Sequence, residues 1–364
     1  MFRDIFGVAA TLLYFGAVQA EACTPNYVVE KGDSLSKIAR AELGSIFEYR
    51  TIYDVNRDVI GRNPNRIYVG QELSIPCEGA PVGDLRWSVM PSPEMIAELS
   101  GQARLQILDI RKPKEVAKGA IPGAITIPYA AWRGPADNLG APPSEESLAA
   151  LIGDAGLRLD QPIVIVHSKE HPMRTGSAAV VYWLLKSSGA EQLAILRGGY
   201  KAWEQADKRL ASRPAPPRPY EAKVAFNWEW RADEVTVYGI ATGQLSGHLL
   251  DARPHGVFER FDNVGKALAT TLPGARNLSA PSLLASLRGE VNVEDGVETV
   301  LETFRALGSD GNTGQVVTFC HVGELAALNW FYASELAGMP NIKLYPESVV
   351  GWTHNGGDLF APIN

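Results

Sequence analysis

Two stretches decide the fold: LQILDIRKPKEVAKGAIPGAITIPY, residues 105–129, and GHLLDARPHGVFERF, residues 247–261, the second followed by LPGARNLS, residues 272–279. Each opens with a short apolar run, turns at an Asp-x-Arg triplet (Asp109-Ile110-Arg111, Asp251-Ala252-Arg253) and returns through Pro-Gly-Ala. The segments downstream of each stretch repeat as well. PIVIVHS (162–168), helical GSAAVVYWLLKSSG (176–189) and LAILRGGYKAW (193–203) are matched by QVVTFCHVG (315–323), helical ELAALNWFYASELAG (324–338) and IKLYPESVVGW (342–352). Apolar strand runs alternating with amphipathic helices predict an α/β fold in two copies, each a parallel sheet with helices on both faces. In each copy a short loop leaves the carboxyl end of a strand and opens into a helix, the place where open α/β sheets bind ligands.

Working outward, CEGAPVGD (77–84) separates a short first module from the tandem copies, and SRPAPPRP (212–219) is a stiff linker between them. The predicted organisation is a leader over 1–22, a small module over 23–78, a first α/β domain over 79–210, a linker over 211–220 and a second α/β domain over 221–364. Arg3, the apolar stretch Ile5–Val18 and the small residues Val18, Ala20 and Ala22 spell a signal peptide, too short for a span that needs about 20 apolar residues. The chain is therefore expected to be exported, with no transmembrane segment. Cleavage after Ala20 or Ala22 leaves Cys23 near the mature start, and Glu21 argues against its lipidation. The net charge of −7, with no basic block, excludes a nucleic-acid partner. Scattered histidines hold no metal-ligand spacing, and Gly198-Gly199 ends a strand rather than opening a phosphate cradle, so neither metal nor nucleotide cofactor is expected. Cysteine occurs three times, at Cys23, Cys77 and Cys320. In an oxidising compartment an odd count leaves at least one thiol without an intramolecular partner.

The first module reads strand, helix, helix, strand: Tyr27-Val28-Val29, a helix capped by Ser34, a second carrying Ile52, Tyr53 and Asn56, and a strand at Leu73-Ser74-Ile75-Pro76. YVVEKGDSLSKIA (27–39) with IYDVNRDVIGRNPNRIYVGQELSIP (52–76) resembles the LysM family from end to end. The resemblance implies a small α+β module that binds the N-acetylglucosamine chains of peptidoglycan. The groove would use Gly32, Asp33, Ser34 and Leu35 on one side and Asn63, Pro64, Arg66 and Ile67 on the other. The plainer reading of Gly32, Asp33 and Ser34 is a turn and a helix cap. Because the family's two strands are antiparallel, Cys23 and Cys77 would be neighbours, implying a disulfide and leaving Cys320 free.

The tandem copies resemble the rhodanese superfamily across nearly everything after Arg86, through the Asp-x-Arg triplets, Ile121-Pro122-Gly123-Ala124, Leu272-Pro273-Gly274-Ala275, and the Gly198-Gly199-Tyr200 and Ala202-Trp203 endings. An inactive first domain followed by an active second is the arrangement of thiosulfate and mercaptopyruvate sulfurtransferases. The resemblance implies that Cys320 takes sulfane sulfur as a persulfide and passes it to a thiophilic acceptor, which requires a thiolate. The loop Cys320-His321-Val322-Gly323-Glu324-Leu325 is expected to lower the thiol's pKa with converging amides and a helix N-terminus. Gly323 lets the backbone curl around sulfur, and an inward His321 would add positive charge. The plainer reading is a buried cysteine acting as a small hydrophobe. Leu325 stands where active single-domain relatives carry arginine, and Glu324 would repel an anion, so thiosulfate is a doubtful donor. The first loop, His167-Ser168-Lys169-Glu170-His171-Pro172-Met173-Arg174, has no cysteine. Ser168 precedes Arg174 by the spacing of the His-Cys-five-residues-Arg loop in phosphatases sharing this fold, and the loop is read as degenerate. Arg174 is a candidate for holding a donor anion; Arg111 and Arg253 follow strand-end aspartates and read as structural salt bridges, with Arg253 the better candidate for the active cleft, and Trp132-Arg133, Trp183, Trp203, Trp330 and Trp352 read as core. The sequence thus points to an exported, peptidoglycan-associated sulfurtransferase, the alternative being an inactive rhodanese-like scaffold on a cell-wall anchor.

Overall fold

The computed structural model describes residues 27–43, 49–61, 66–75, 87–100, 105–136, 138–210, 217–260, 268, 270–284, 293–308, 314–339 and 341–362. The chain divides into a small unit over residues 1–62 and 67–84 and a large one over 63–66 and 85–364. The expected leader, Cys23, Cys77 and their bridge, and Asn63 and Pro64 lie outside the described residues.

In the small unit, β1 (Tyr27–Val28) pairs antiparallel with β2 (Glu72–Leu73), Tyr27 opposite Leu73. Between them run α1 (Leu35–Leu43), α2 (Tyr49–Val55) and a single-turn α3 (Arg57–Ile60) beyond the two helices expected. Leu35, Ile38, Ile52, Leu73 and Ile75 form its core. Asn56 is buried at the junction. Its Nδ2 donates to the Ile52 and Ser74 carbonyls at 2.7 and 2.8 Å and its Oδ1 accepts from the Ser74 amide at 2.8 Å. A buried amide costs free energy unless bonded, and here the bonds fasten the helices to β2.

The first half of the large unit holds β3 (Gln106–Asp109), β4 (Ile125–Thr126), β5 (Ile163–Val166) and β6 (Leu193–Ile195), in the order β4-β3-β5-β6. The second holds β7 (Gly247–Asp251), β8 (Arg276–Asn277), β9 (Gln315–Phe319) and β10 (Ile342–Leu344), in the matching order β8-β7-β9-β10. Every pairing in both sheets is parallel. All residues of β3 and β5 are buried, as a parallel sheet covered on both faces requires.

The helices that matter for function are α4 (Pro172–Ser187), which follows β5, α5 (Gly199–Ala206), which follows β6, α6 (Glu324–Trp330), which follows β9, and α7 (Ser348–His354), which follows β10. Pro172 occupies the first turn of α4, where its missing N–H costs nothing, and His171 caps it by accepting the Met173 amide through Nδ1 at 3.2 Å. Helix α6 continues into a π-helical turn over Phe331–Leu336.

The two halves meet through α4 and α6. A Cβ placed on Gly176 of α4 would lie 2.5 Å from the Glu324 carbonyl oxygen, so glycine sets that close approach. Buried Glu335, on the π-helical turn, accepts from Tyr182 at 2.7 Å and from Lys186 at 2.8 Å. The segment entering the second half runs along the first: Tyr220 N bonds the Gly153 carbonyl at 3.0 Å, Phe226 N bonds Glu145 Oε1 at 2.7 Å and Asn227 N bonds the Ser187 carbonyl at 2.8 Å. Among the described residues no helix is long and apolar enough to cross a membrane.

Candidate active site

The two Asp-x-Arg triplets are built alike. Asp109 lies fully buried at the end of β3; its carboxylate accepts from the Arg111 amide at 3.0 Å and from the guanidinium at 2.6–3.1 Å, and Arg111 Nη2 reaches the Gly119 carbonyl at 2.7 Å. Asp251, at the end of β7, receives the Arg253 amide and guanidinium in the same way, with Arg253 Nη2 on the Thr270 carbonyl at 2.7 Å and Thr271 Oγ1 on Asp251 at 2.8 Å. Buried charge is tolerable when paired and fully bonded. Arg111 and Arg253 thus form the salt bridges expected of them, and Arg253, also the better candidate for the cleft, is committed to Asp251.

Cys320 follows directly on Phe319, the last residue of β9, which stands opposite Asp251. Its amide donates to Ser348 Oγ at 3.0 Å, and Sγ accepts from the Gly323 amide at 3.1 Å. The Val349 and Val350 amides of α7 bond the Cys320 and His321 carbonyls, each at 3.2 Å. Gly323 has φ +100°, and a Cβ there would meet the Pro346 carbonyl at 2.8 Å, so the curl around sulfur requires glycine. Cys320 is 2 % exposed. Burial pushes its thiol above the ordinary cysteine range; the Ala326 amide opposes this, Glu324 adds to the rise, and the Gly323 and Val322 amides oppose it. The expected lowering is overturned: the amides converge as anticipated, but loss of hydration outweighs them.

His321 and Glu324 also depart from expectation. His321 is exposed, so it places no charge beside sulfur. Leu325 is buried in α6. Glu324 is buried and turned toward the first half of the unit, where Arg133 Nη1 meets its Oε1 at 2.7 Å and the Tyr129 hydroxyl donates to the same oxygen at 3.2 Å. Arg133 Nη1 also bonds the Tyr129 oxygen at 2.5 Å, and its Nη2 bonds the Val322 carbonyl at 3.0 Å. Arg133 therefore neutralises the loop's acid and holds its backbone from across the interface. The sequence reads it as core. Nothing local marks its role in the cysteine loop, because Val322 and Glu324 lie 189 and 191 positions away.

Hydrogen-bond register identifies the first half's counterpart of Cys320. Val166 stands opposite Asp109 as Phe319 stands opposite Asp251. The Tyr200 and Lys201 amides bond the His167 and Ser168 carbonyls as Val349 and Val350 bond those of Cys320 and His321. His167, not Ser168, occupies the cysteine's place. Its ring is buried, with Nδ1 3.0 Å from the Lys169 carbonyl oxygen, and burial lowers its pKa against the opposing pull of Glu170 and the Lys169 and Leu196 carbonyls.

A cavity of about 880 Å³ opens on this first loop. Arg174, exposed on α4, lines it together with His167 and Ser168, while Val322 and Glu324 supply the wall from the second half; Cys320 is not on its surface.

In the small unit, Gly32 has φ +95° with open space at its Cα. Asp33 Oδ2 accepts from the Glu30 amide at 2.8 Å and the Tyr27 hydroxyl at 2.9 Å, a bond that pushes Tyr27 up to about 12. Ser34 Oγ accepts the Lys37 amide at 3.3 Å as a helix cap. Leu35 belongs to the core and Ile67 packs against it, whereas Arg66 is exposed.

Family models match a LysM domain over residues 27–76 and a rhodanese-like domain over residues 92–206. The chain is 30 % identical over 270 residues to a putative thiosulfate sulfurtransferase of Synechococcus elongatus, covering 72 % of this chain and 81 % of that protein. It is 24 % identical over 221 residues to a thiosulfate sulfurtransferase of Gallus gallus, covering 58 % and 70 %. Among solved structures, that of the Escherichia coli 3-mercaptopyruvate sulfotransferase SseA shares the fold, with TM-score 0.54, 24 % identity and coverage of 72 % of this chain and 98 % of that one. With the repeated parallel sheets and the cysteine loop after β9, these likenesses make the chain a member of the rhodanese-like sulfurtransferase family that carries a LysM domain at its amino-terminal end.

Proposed function

We propose that this sulfurtransferase moves sulfane sulfur through a Cys320 persulfide and that the LysM domain holds it on peptidoglycan outside the cytoplasm. The observation that carries the sulfur chemistry is the seat of Cys320: a lone described thiol at the carboxyl end of β9, with the Gly323 amide 3.1 Å from Sγ and the Val322 and Ala326 amides also favouring its anion. In the first step Cys320 loses its proton and attacks the outer sulfur of a donor persulfide R–S–SH. A Cys320 S–S bond forms, the donor S–S bond breaks, and the donor leaves as the thiol RSH. An acceptor thiolate then attacks the outer sulfur of Cys320–S–S⁻, and Cys320 returns as thiol. Each step exchanges one S–S bond for another, so no external oxidant or reductant is consumed.

The charges around the loop support an alkyl persulfide over thiosulfate as donor. Arg253 is held by Asp251, Arg133 by Glu324, and His321 faces outward, so the near cations are already engaged. The experiment is intact-mass analysis after incubation with glutathione persulfide or thiosulfate, followed by transfer to cyanide or a thiol. Addition of one sulfur at Cys320 and its loss to the acceptor are expected, with Cys320→Ser inactive. Undiminished transfer by Cys320→Ser would refute the Cys320 route, and absence of transfer by the wild type would leave the inactive-scaffold reading.

The proposed anchoring rests on the LysM match and on the exposed turn at Gly32. Full-length protein should sediment with purified sacculi, and the mature protein should begin at Glu21 or Cys23. A folded chain that stays in the supernatant would refute the anchoring.

A further inference from the structure

We propose that the cavity beside the first loop is a second ligand site, for an organic anion with an apolar body, separate from the Cys320 thiol. The chain as a whole carries a net charge of −7, yet this cavity collects cations. Of the charged side chains on its walls, Arg111 is paired with Asp109 and Arg133 with Glu324. Glu115 is engaged as a helix cap, accepting the Lys112 amide at 3.1 Å. Lys112, Lys114 and Arg174 remain, all exposed and without a carboxylate partner among the described residues. Among the described residues, three unpaired cations against one capping glutamate set the sign of the ligand.

The rest of the lining fixes its body. Ile110, Leu139 and Val322 contribute apolar walls, and Leu139 is 45 % exposed at the cavity although it is a large hydrophobic side chain. A volume of about 880 Å³ lies within the range of small-molecule sites and far above what a bare inorganic anion fills. A ring or branched chain bearing a carboxylate or sulfonate satisfies both the walls and the rim. Cys320 lies off the cavity surface, and His167 stands where a first-half nucleophile would be, so this is a site for holding a ligand rather than for sulfur chemistry.

The test uses the full-length protein and two fluorescent probes of similar body, anilinonaphthalene sulfonate, which is charged, and N-phenylnaphthylamine, which is not. The wild type should bind the sulfonate more tightly. Lys112→Ala combined with Arg174→Ala, both at exposed positions, should weaken the sulfonate by about tenfold or more, the scale of one or two lost charged hydrogen bonds, and leave the neutral probe within about twofold. Ala136→Trp, which fills the exposed cavity mouth without altering charge, should weaken both probes. Cys320→Ser should change neither, which separates this site from the proposed sulfur transfer. Equal affinity for the two probes, or sulfonate binding indifferent to both the charge and the filling variants while circular dichroism is unchanged, would overturn the proposal.

Discussion

The loops after β5 and β9 leave equivalent strands and receive equivalent amide bonds from α5 and α7, but they have divided what an active loop needs. The second keeps the nucleophile and closes over it: Cys320 is 2 % exposed and raised in pKa by that burial. The first has a buried imidazole in place of the thiol and opens on a cavity whose exposed cations have no carboxylate partner among the described residues. The comparison teaches that the thiol loop is not self-sufficient. Its acid and its Val322 carbonyl are held by Arg133 from the other half, so the half without a cysteine still shapes the half that has one.

Breaking that support is expected to have the largest effect. Arg133→Ala leaves Glu324 buried without its cation, a change worth about 3–5 kcal/mol of stability where a buried pair loses one partner. It should also raise the Cys320 thiol further, because the Glu324 charge is no longer offset. Denaturant unfolding of Arg133→Ala, Glu324→Gln and the double variant measures the coupling. The double variant should recover most of the loss, since no buried charge is left alone. A double variant as unstable as Arg133→Ala would mean that Arg133 acts through packing and not through Glu324.

The second effect sharpens the contrast at the position shared by His167 and Cys320. The folded-state pKa of His167 lies below its ordinary value because burial disfavours the imidazolium. Below about pH 6.5 the unfolded chain therefore binds a proton that the folded chain refuses, and stability is lost as pH falls, by up to about 1.4 kcal/mol per pH unit. His248, also lowered by burial, adds a slope of its own, common to wild type and variant. Unfolding at pH 7.5 and 5.5 should show a smaller acid loss for His167→Gln than for wild type. Equal losses would mean that His167 is already free to protonate in the fold.

The sheets were legible because each half repeats an apolar run, an Asp-x-Arg triplet and a Pro-Gly-Ala return, and these local signals fix strand ends. The seat of Cys320 was legible for the same reason. Spacing to Arg174 is a misleading ruler for Ser168, because strand register sets the position. The apolar runs ending at Val166 and Phe319 carry the correct alignment, to His167 and Cys320. Arg133 could not be read at all, since its role arises from bonds to Glu324 and Val322 in the other half and no periodicity connects residues that far apart. The sign of the Cys320 shift escapes the sequence because amide count is a local property and burial is a tertiary one. Leu35, placed on the glycan groove by resemblance, is a buried core residue of the module.

The thiol's own titration comes next in size. Iodoacetamide labelling of Cys320 should be slow at neutral pH and should climb as pH rises past the ordinary cysteine value, because only the thiolate reacts. Glu324→Gln removes a charge that raises the thiol and should move the labelling midpoint down, by less than about one pH unit, since a single buried charge partly neutralised by Arg133 is being removed. A midpoint below the ordinary value in wild type would show that the loop opens to solvent in the reactive form.

The smallest effect belongs to the histidine beside the nucleophile. If His321 supplied positive charge to Cys320, His321→Gln would shift the labelling curve upward. The exposed ring predicts otherwise: water screens its charge, and the Cys320 thiol is governed by burial, the neighbouring amides and Glu324. His321→Gln should therefore leave the labelling midpoint within about 0.2 pH units of wild type, and its curves at low and high salt should coincide with the parent's. A shift that appears at low salt and vanishes at high salt would place the imidazole close enough to act through space. The two loops would then differ less than their geometry says.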